Sequence, residues 1–131
     1  MSSQVSSLIP AIDAEFLAEK GYLYELCQEN GAVCVIIRGY QLPPPYTPNQ
    51  ADLLIELPAG YPNAKPDMFW TNPDVKLPSG TWPRSADVHE NKCGQTWQRW
   101  SRHFPGDRWR PGTDSLRTYL AAIRAELVKG I

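Results

Sequence analysis

The pair Asn30–Gly31 sits between two apolar runs, "YLYELCQ" and "AVCVIIRG", and this constrains the chain more than any other local feature. A two-residue β-hairpin turn of the primed type needs positive φ at both central positions, which Asn followed by Gly supplies at little steric cost. The first run alternates apolar with polar residues and the second is nearly continuous, so the two read as paired strands. "ADLLIELP" supplies a third strand and "PDMFWT" a short fourth, after a proline-rich loop, "GYQLPPPYTPNQ". Four strands joined by short connections predict an antiparallel meander with one face left to cover.

Helices are expected to cover it, which makes the fold class α+β. Asp13 followed by "AEFLAEKG" reads as a short capped helix that stops at Gly21. At the far end Thr113 reads as an N-cap with Asp114 in the first turn. Leu116, Tyr119, Leu120, Ile123 and Leu127 then share one helical stripe, and Lys129 and Gly130 mark the stop. Between Asn72 and Gly112 no period is sustained and only turns are read. Loops beyond about 15 residues are uncommon and usually functional, so chemistry is expected in this long irregular segment. With 131 residues, 42% of them hydrophobic, the chain suits one domain spanning 1–131.

The net charge of -1 argues against a general polyanion binder, but it hides an asymmetry. Residues 1–60 hold seven acids and two bases, whereas 61–131 hold seven acids and eleven bases, which implies one acidic and one basic face. No apolar run approaches the about 18 residues of a membrane span, and "MSSQVSSLIP" lacks the marks of a signal peptide. A cytoplasmic protein without a membrane partner is expected. Cys27, Cys34 and Cys93 are odd in number and form no CxxC pair, which fits a reducing compartment better than a disulfide framework. Cys27 and Cys34 are read as core packing.

The order of parts resembles the ubiquitin-conjugating enzyme fold: a short helix, a meander, a Tyr-Pro turn, a long irregular segment, a Trp-x-Pro and a final helix. Tyr61, Pro62 and Pro66 in "GYPNAKP" and Trp109 and Pro111 in "WRP" carry the resemblance. More narrowly, "GYPNAKPDMFW", "WQRWSRH" and "WRPGTDSLRTYL" are similar to a prokaryotic branch, family E, of bacterial ubiquitin-like modification systems. The match runs from about Ile9 to Leu127. The resemblance implies two partners, an activating enzyme and a ubiquitin-like protein, and implies no cofactor. In the familiar relatives a cysteine eight residues before the Trp-x-Pro tryptophan carries the ubiquitin-like protein as a thioester. Counting back eight from Trp109 reaches Ser101.

Three readings of that position stay open. In the first, Ser101 accepts the acyl group as an oxyester; an unaided hydroxyl is a poor nucleophile, so His103 is the expected base. In the second, Ser101 is a remnant and the domain is an inactive adaptor that binds the activating enzyme or the ubiquitin-like protein. In the third, Cys93 is the nucleophile, its thiolate favoured by Lys92 and His89 nearby in sequence. The family's His-Pro-Asn is absent; "VHENKCG" offers His89 and Asn91 instead and leaves the oxyanion donor unassigned.

His89, Cys93 and His103 do not follow a zinc spacing and lack a fourth ligand, so no metal is expected there. Trp97, Trp100 and Trp109 alternate with Arg99, Arg102, Arg108 and Arg110. Such a cluster can stack on single-stranded nucleic acid. In this fold it is expected instead to pin the irregular segment, so nucleic acid is not an expected partner. Arg99 and Arg102 flank Ser101 and are candidates for binding the carbonyls of an incoming peptide tail.

Overall fold

The computed structural model describes residues 8–104 and 108–129. Asn30 and Gly31 both adopt positive φ, 53° and 79°, and Glu29 faces Ala32 across the turn they make. The hairpin therefore forms where the turn chemistry placed it, joining β1 (Leu23–Glu29) to β2 (Ala32–Gln41). β3 (Gln50–Leu57) and β4 (Phe69–Asn72) follow as antiparallel neighbours.

The sheet does not end with them. β5 (Val88–Lys92) and β6 (Gln95–Trp100) extend it to six strands in the order β1-β2-β3-β4-β6-β5. This corrects the expectation of four strands followed only by turns. Cys93 and Gly94 make a second tight turn with φ of 52° and 79°, between Lys92 and Gln95. It escaped the sequence because β5 is a polar edge strand and β6 is covered on both faces. Trp97, Gln98 and Trp100 are all buried, which erases the alternation.

α1 (Ala11–Glu19) and α2 (Leu116–Lys129) pack on one face. Phe16 and Leu17 of α1 meet Val35, Ile37, Leu53, Ile55, Phe69 and Trp100 of the sheet, together with the stripe Leu116, Tyr119, Leu120, Ile123 and Leu127. The opposite parity of the strands puts Cys34, Ile36, Leu54, Trp70 and Trp97 on the other face, in a second, smaller cluster. β2 thus contributes to both clusters, which is why its sequence reads as a continuous apolar run.

Both predicted helix caps are corrected. α1 starts at Ala11 after Pro10, so Asp13 lies inside its first turn. α2 starts at Leu116, beyond Thr113, and the Asp114 carboxylate instead accepts the Arg110 N–H at 2.7 Å. The Asp13 carboxylate, buried, accepts the Leu116 N–H at 3.0 Å and the Tyr61 hydroxyl at 2.7 Å. It caps the other helix, which no local reading reveals. Gly130, the expected stop, lies outside the described residues.

The second face is closed by curling. β1 and β5 are the two edges of the sheet, about 24 Å apart if six strands lay flat. Yet Cys27 of β1 and Cys93 of the β5–β6 turn are joined by a disulfide, with their Cα atoms 6.4 Å apart. β6 pairs with β4 only through Gln98, Arg99 and Trp100, so the tip of the hairpin is free to bend over the face. Lys92 reaches Glu56 of β3 at 3.1 Å and lies over the Trp70 ring. The disulfide overturns the expectation that no disulfide forms, because local spacing carried no sign of this long-range approach; Cys34 is free and buried in the core, as read. Peptide mapping of the non-reduced chain should find the Cys27 and Cys93 peptides linked, and Cys34 alkylated only after unfolding.

One buried amide holds the irregular segment before β5. The Gln98 side-chain oxygen accepts the Thr71 hydroxyl at 3.0 Å and the Val75 N–H at 2.7 Å. Its nitrogen donates to Val75 O and Ala86 O, both at 2.9 Å. Gln98→Leu would keep the volume and remove all four of these bonds, leaving the Thr71 hydroxyl only the Trp100 indole N–H. Since an unsatisfied buried group costs about 1–3 kcal/mol, the variant should lose about 3 kcal/mol or more in urea unfolding.

Candidate active site

Ser101 follows β6 directly, and its neighbours set its direction. Trp100 on one side is fully buried and donates its indole N–H to the Thr71 hydroxyl at 2.9 Å. Arg102 on the other side is also buried: Nε and one terminal nitrogen donate to Arg84 O at 3.1 and 2.9 Å, and the guanidinium lies over the Trp100 ring. The Arg102 N–H donates to Trp100 O at 2.8 Å in a three-residue turn centred on Ser101, and with both neighbours anchored inward Ser101 is left half-buried beside Arg99. Its own N–H donates to Ser85 O at 2.8 Å.

Arg102 is therefore not a rim residue, which corrects its expected place beside an incoming tail. Burial pulls its pKa down, with Arg84 adding to the effect. Arg99 stands beside Ser101. Its Nε donates to Ser101 Oγ at 2.8 Å while another nitrogen donates to Glu90 at 2.8 Å. The second oxygen of Glu90 accepts the Trp70 indole N–H at 2.9 Å. Partial burial pushes the Glu90 carboxyl up, but the hydrogen bonds from Trp70 and Arg99 and the charges of Arg99 and Lys92 outweigh it and leave the pKa lowered. Glu90 thus stays ionised and holds the guanidinium against the serine oxygen. Neither Glu90 nor Trp70 was singled out in the sequence, because their link to Ser101 runs across three strands.

His103 is exposed and does not bond to Ser101 among the described residues. Its Nδ1 lies 2.7 Å from an Asp67 carboxylate oxygen. Bonding there leaves Nε2 free, and the carboxylate fixes the orientation of the ring. Asp67 comes from the "GYPNAKPDMFW" string; membership in that string was the only sequence sign of it. Backbone in the left-handed region marks both supports of the site: Met68, next to Asp67, has φ 60°, and Ser85, which accepts the Ser101 N–H, has φ 56°. Such positions cost of order 1–3 kcal/mol each and persist only where their surroundings hold them. The Tyr119 hydroxyl donates to Met68 O at 2.8 Å and helps to hold the first.

The other named residues separate. Cys93 is in the disulfide, so the reading of Cys93 as a free nucleophile is overturned for this form. His89 pairs with Asp74 at 2.8 Å and meets the Trp82 ring, and Asn91 accepts the Thr96 hydroxyl within the hairpin. His89, Cys93 and His103 thus engage three different partners. Trp97 and Trp100 are sealed in the two clusters and present no face on which a base could stack. Trp109 donates its indole N–H to Pro62 O at 2.7 Å and packs on Tyr61, which joins the Tyr-Pro turn to the Trp-x-Pro segment.

A cleft of about 290 Å³ lies between α2 and the neighbouring segments, lined by Lys65, Phe104, Arg108, Trp109 and Tyr119 among others; neither Ser101 nor His103 lines it. No helix among the described residues is long and apolar enough to cross a membrane.

The family model described as prokaryotic E2 family E matches residues 9–130. No curated protein and no solved structure matches the chain. The match takes in both helices, all six strands, and the Tyr-Pro and Trp-x-Pro segments that pack together, so the chain belongs to prokaryotic E2 family E, among the E2-like proteins of ubiquitin-like conjugation.

Proposed function

We propose that the protein accepts the carboxyl-terminal acyl group of a ubiquitin-like protein from its activating enzyme as an oxyester on Ser101, and passes it to an acceptor in a bacterial conjugation system. The observation that carries this is the hydrogen bond from Arg99 Nε to Ser101 Oγ, at 2.8 Å, with Arg99 itself held by Glu90. A fixed positive donor on the attacking oxygen favours the developing alkoxide, and it costs no reorganisation when the reaction occurs.

His103 is the proton acceptor in this reading. Asp67 on Nδ1 leaves Nε2 to take the hydroxyl proton, directly or through one water, as Oγ attacks the thioester carbonyl. The carbonyl–sulfur bond breaks, and the thiol of the activating enzyme leaves with a proton. In the second transfer an acceptor attacks the ester carbonyl and Ser101 regains its hydrogen.

A second reading, an inactive adaptor that holds the activating enzyme or the ubiquitin-like protein, is favoured by one feature. Ser101 is bonded to Arg99 and not to His103. Incubation with the activating enzyme, ATP and the ubiquitin-like protein separates the two. Acyl transfer predicts an adduct that survives thiol reductant, is cleaved by hydroxylamine or mild base, and is lost in Ser101→Ala. A stable complex without any adduct establishes the adaptor instead.

Rates test the assigned roles. Removal of a general base typically costs about 10²–10⁴-fold and removal of one oxyanion-type donor about 10²–10³-fold. Single-turnover adduct formation should therefore slow by about 10²-fold or more in both His103→Ala and Arg99→Gln, with Asp67→Asn milder than His103→Ala. Equal rates in wild type and His103→Ala would remove the histidine from the mechanism.

A further inference from the structure

The three cysteines come from β1, β2 and the β5–β6 turn, yet they meet. Cys27 and Cys34 face one another in the β1–β2 register, and both contribute to the cluster on the second face. The curl of the hairpin carries Cys93 onto the same spot, where its sulfur bonds to that of Cys27. A carboxylate joins them: a ligand oxygen of Glu29 and the sulfurs of Cys34 and Cys93 all lie within 4.8 Å of one another. Glu29 is held there by the Cys93 N–H, which donates to its Oε2 at 3.1 Å.

The disulfide accounts for two of these four groups, and Glu29 accepts the Cys93 N–H with one oxygen; Cys34 has neither role. Cys34 is fully buried; burial, with Glu56 adding and Lys92 opposing, pushes its thiol up to about 11. Packing alone would be served as well by Ala or Val, and a carboxylate beside a buried thiol would only destabilise the thiolate. Three sulfurs and one carboxylate oxygen drawn from four chain positions are instead the ligand set of a soft divalent cation. Zinc–sulfur bonds of about 2.3 Å put tetrahedral ligands roughly 3.8 Å apart, slightly closer than the 4.8 Å within which the ligand atoms of Glu29, Cys34 and Cys93 lie; Cys27 enters through its bond to Cys93. Reduction frees the Cys27 and Cys93 sulfurs to separate and leaves both beside this group.

We propose that, when the Cys27–Cys93 disulfide is reduced, Cys27, Cys34, Cys93 and Glu29 bind one zinc ion or another thiophilic divalent cation. The disulfide and the metal are alternatives. A cellular dithiol gives two electrons and two protons to the disulfide and is itself oxidised. The cation then displaces the protons of three thiols to solvent and is held by three thiolates and the carboxylate. Those four anions exceed the charge of the cation by two; the Lys92 ammonium is the nearby positive charge and is shared with Glu56. Either bond ties β1 to the hairpin, so the curl is secured under oxidising and reducing conditions alike. The site is at the opposite end of β6 from Ser101 and does not rest on the acyl-transfer reading.

The test uses the full chain, reduced with a phosphine under anaerobic conditions and titrated with cobalt(II) alone. One equivalent should give sulfur-to-cobalt charge-transfer bands in the near ultraviolet and the strong visible bands of a tetrahedral site, both displaced by zinc. The disulfide form should show neither. Cys34→Ser and Glu29→Gln should each weaken binding by at least about tenfold. A reduced chain that keeps its native circular dichroism without these bands overturns the proposal, as does an unchanged affinity in either variant. If Cys34→Ser does not fold, Glu29→Gln, at a half-exposed position, decides the matter.

Discussion

The side-chain amide of Gln98 is the contact on which the rest of the active region depends. It lies in β6 opposite Thr71 of β4, fully buried, and it spends both lone pairs and both hydrogens on other parts of the chain. Val75 and Ala86 are at the two ends of an irregular stretch that has no strand or helix to satisfy its backbone. Gln98 supplies those partners where water cannot reach. Ser85, beside Ala86, then stands where its carbonyl takes the Ser101 N–H. The line from the amide to the serine is short: β4 holds β6, β6 holds the irregular stretch, and the stretch holds Ser101.

A second buried polar group joins the Tyr-Pro and Trp-x-Pro segments of this chain. The carboxylate of Asp13 joins Tyr61 to the first N–H of α2, and Trp109 reaches back to Pro62 while packing on Tyr61. Burial, reinforced by hydrogen bonding to Asp13, pushes the Tyr61 phenol far above its ordinary range, so it stays a donor at any physiological pH. The Tyr-Pro turn, the Trp-x-Pro segment and the start of α2 form one connected corner. Loss of one of these parts leaves a polar group of another without a partner.

These two networks flank a site built from opposite sides of the sheet. Trp100 and Arg102 point toward the helices, and Arg102 covers the indole while bonding the backbone of Arg84. Arg99 and Ser101 point the other way, onto the face that the curled hairpin shields. A single stretch of four residues therefore supplies both the anchors and the proposed reacting group.

The sequence by itself determined the features that act over a few residues. Asn30–Gly31 specified its hairpin because only the local φ values mattered. The stripe from Leu116 to Leu127 specified which face of α2 is buried, because helical spacing repeats within the element. Only the tertiary structure decided the partners: Asp67 for His103, Glu90 for Arg99, Asp13 for Leu116 and Cys93 for Cys27. The β5–β6 hairpin belongs with them, since β6 is buried on both faces and shows no period. These pairings bridge from 9 to 103 positions along the chain. At such separations, sheet order and curl set the distance between two side chains, and no local pattern of residues encodes it.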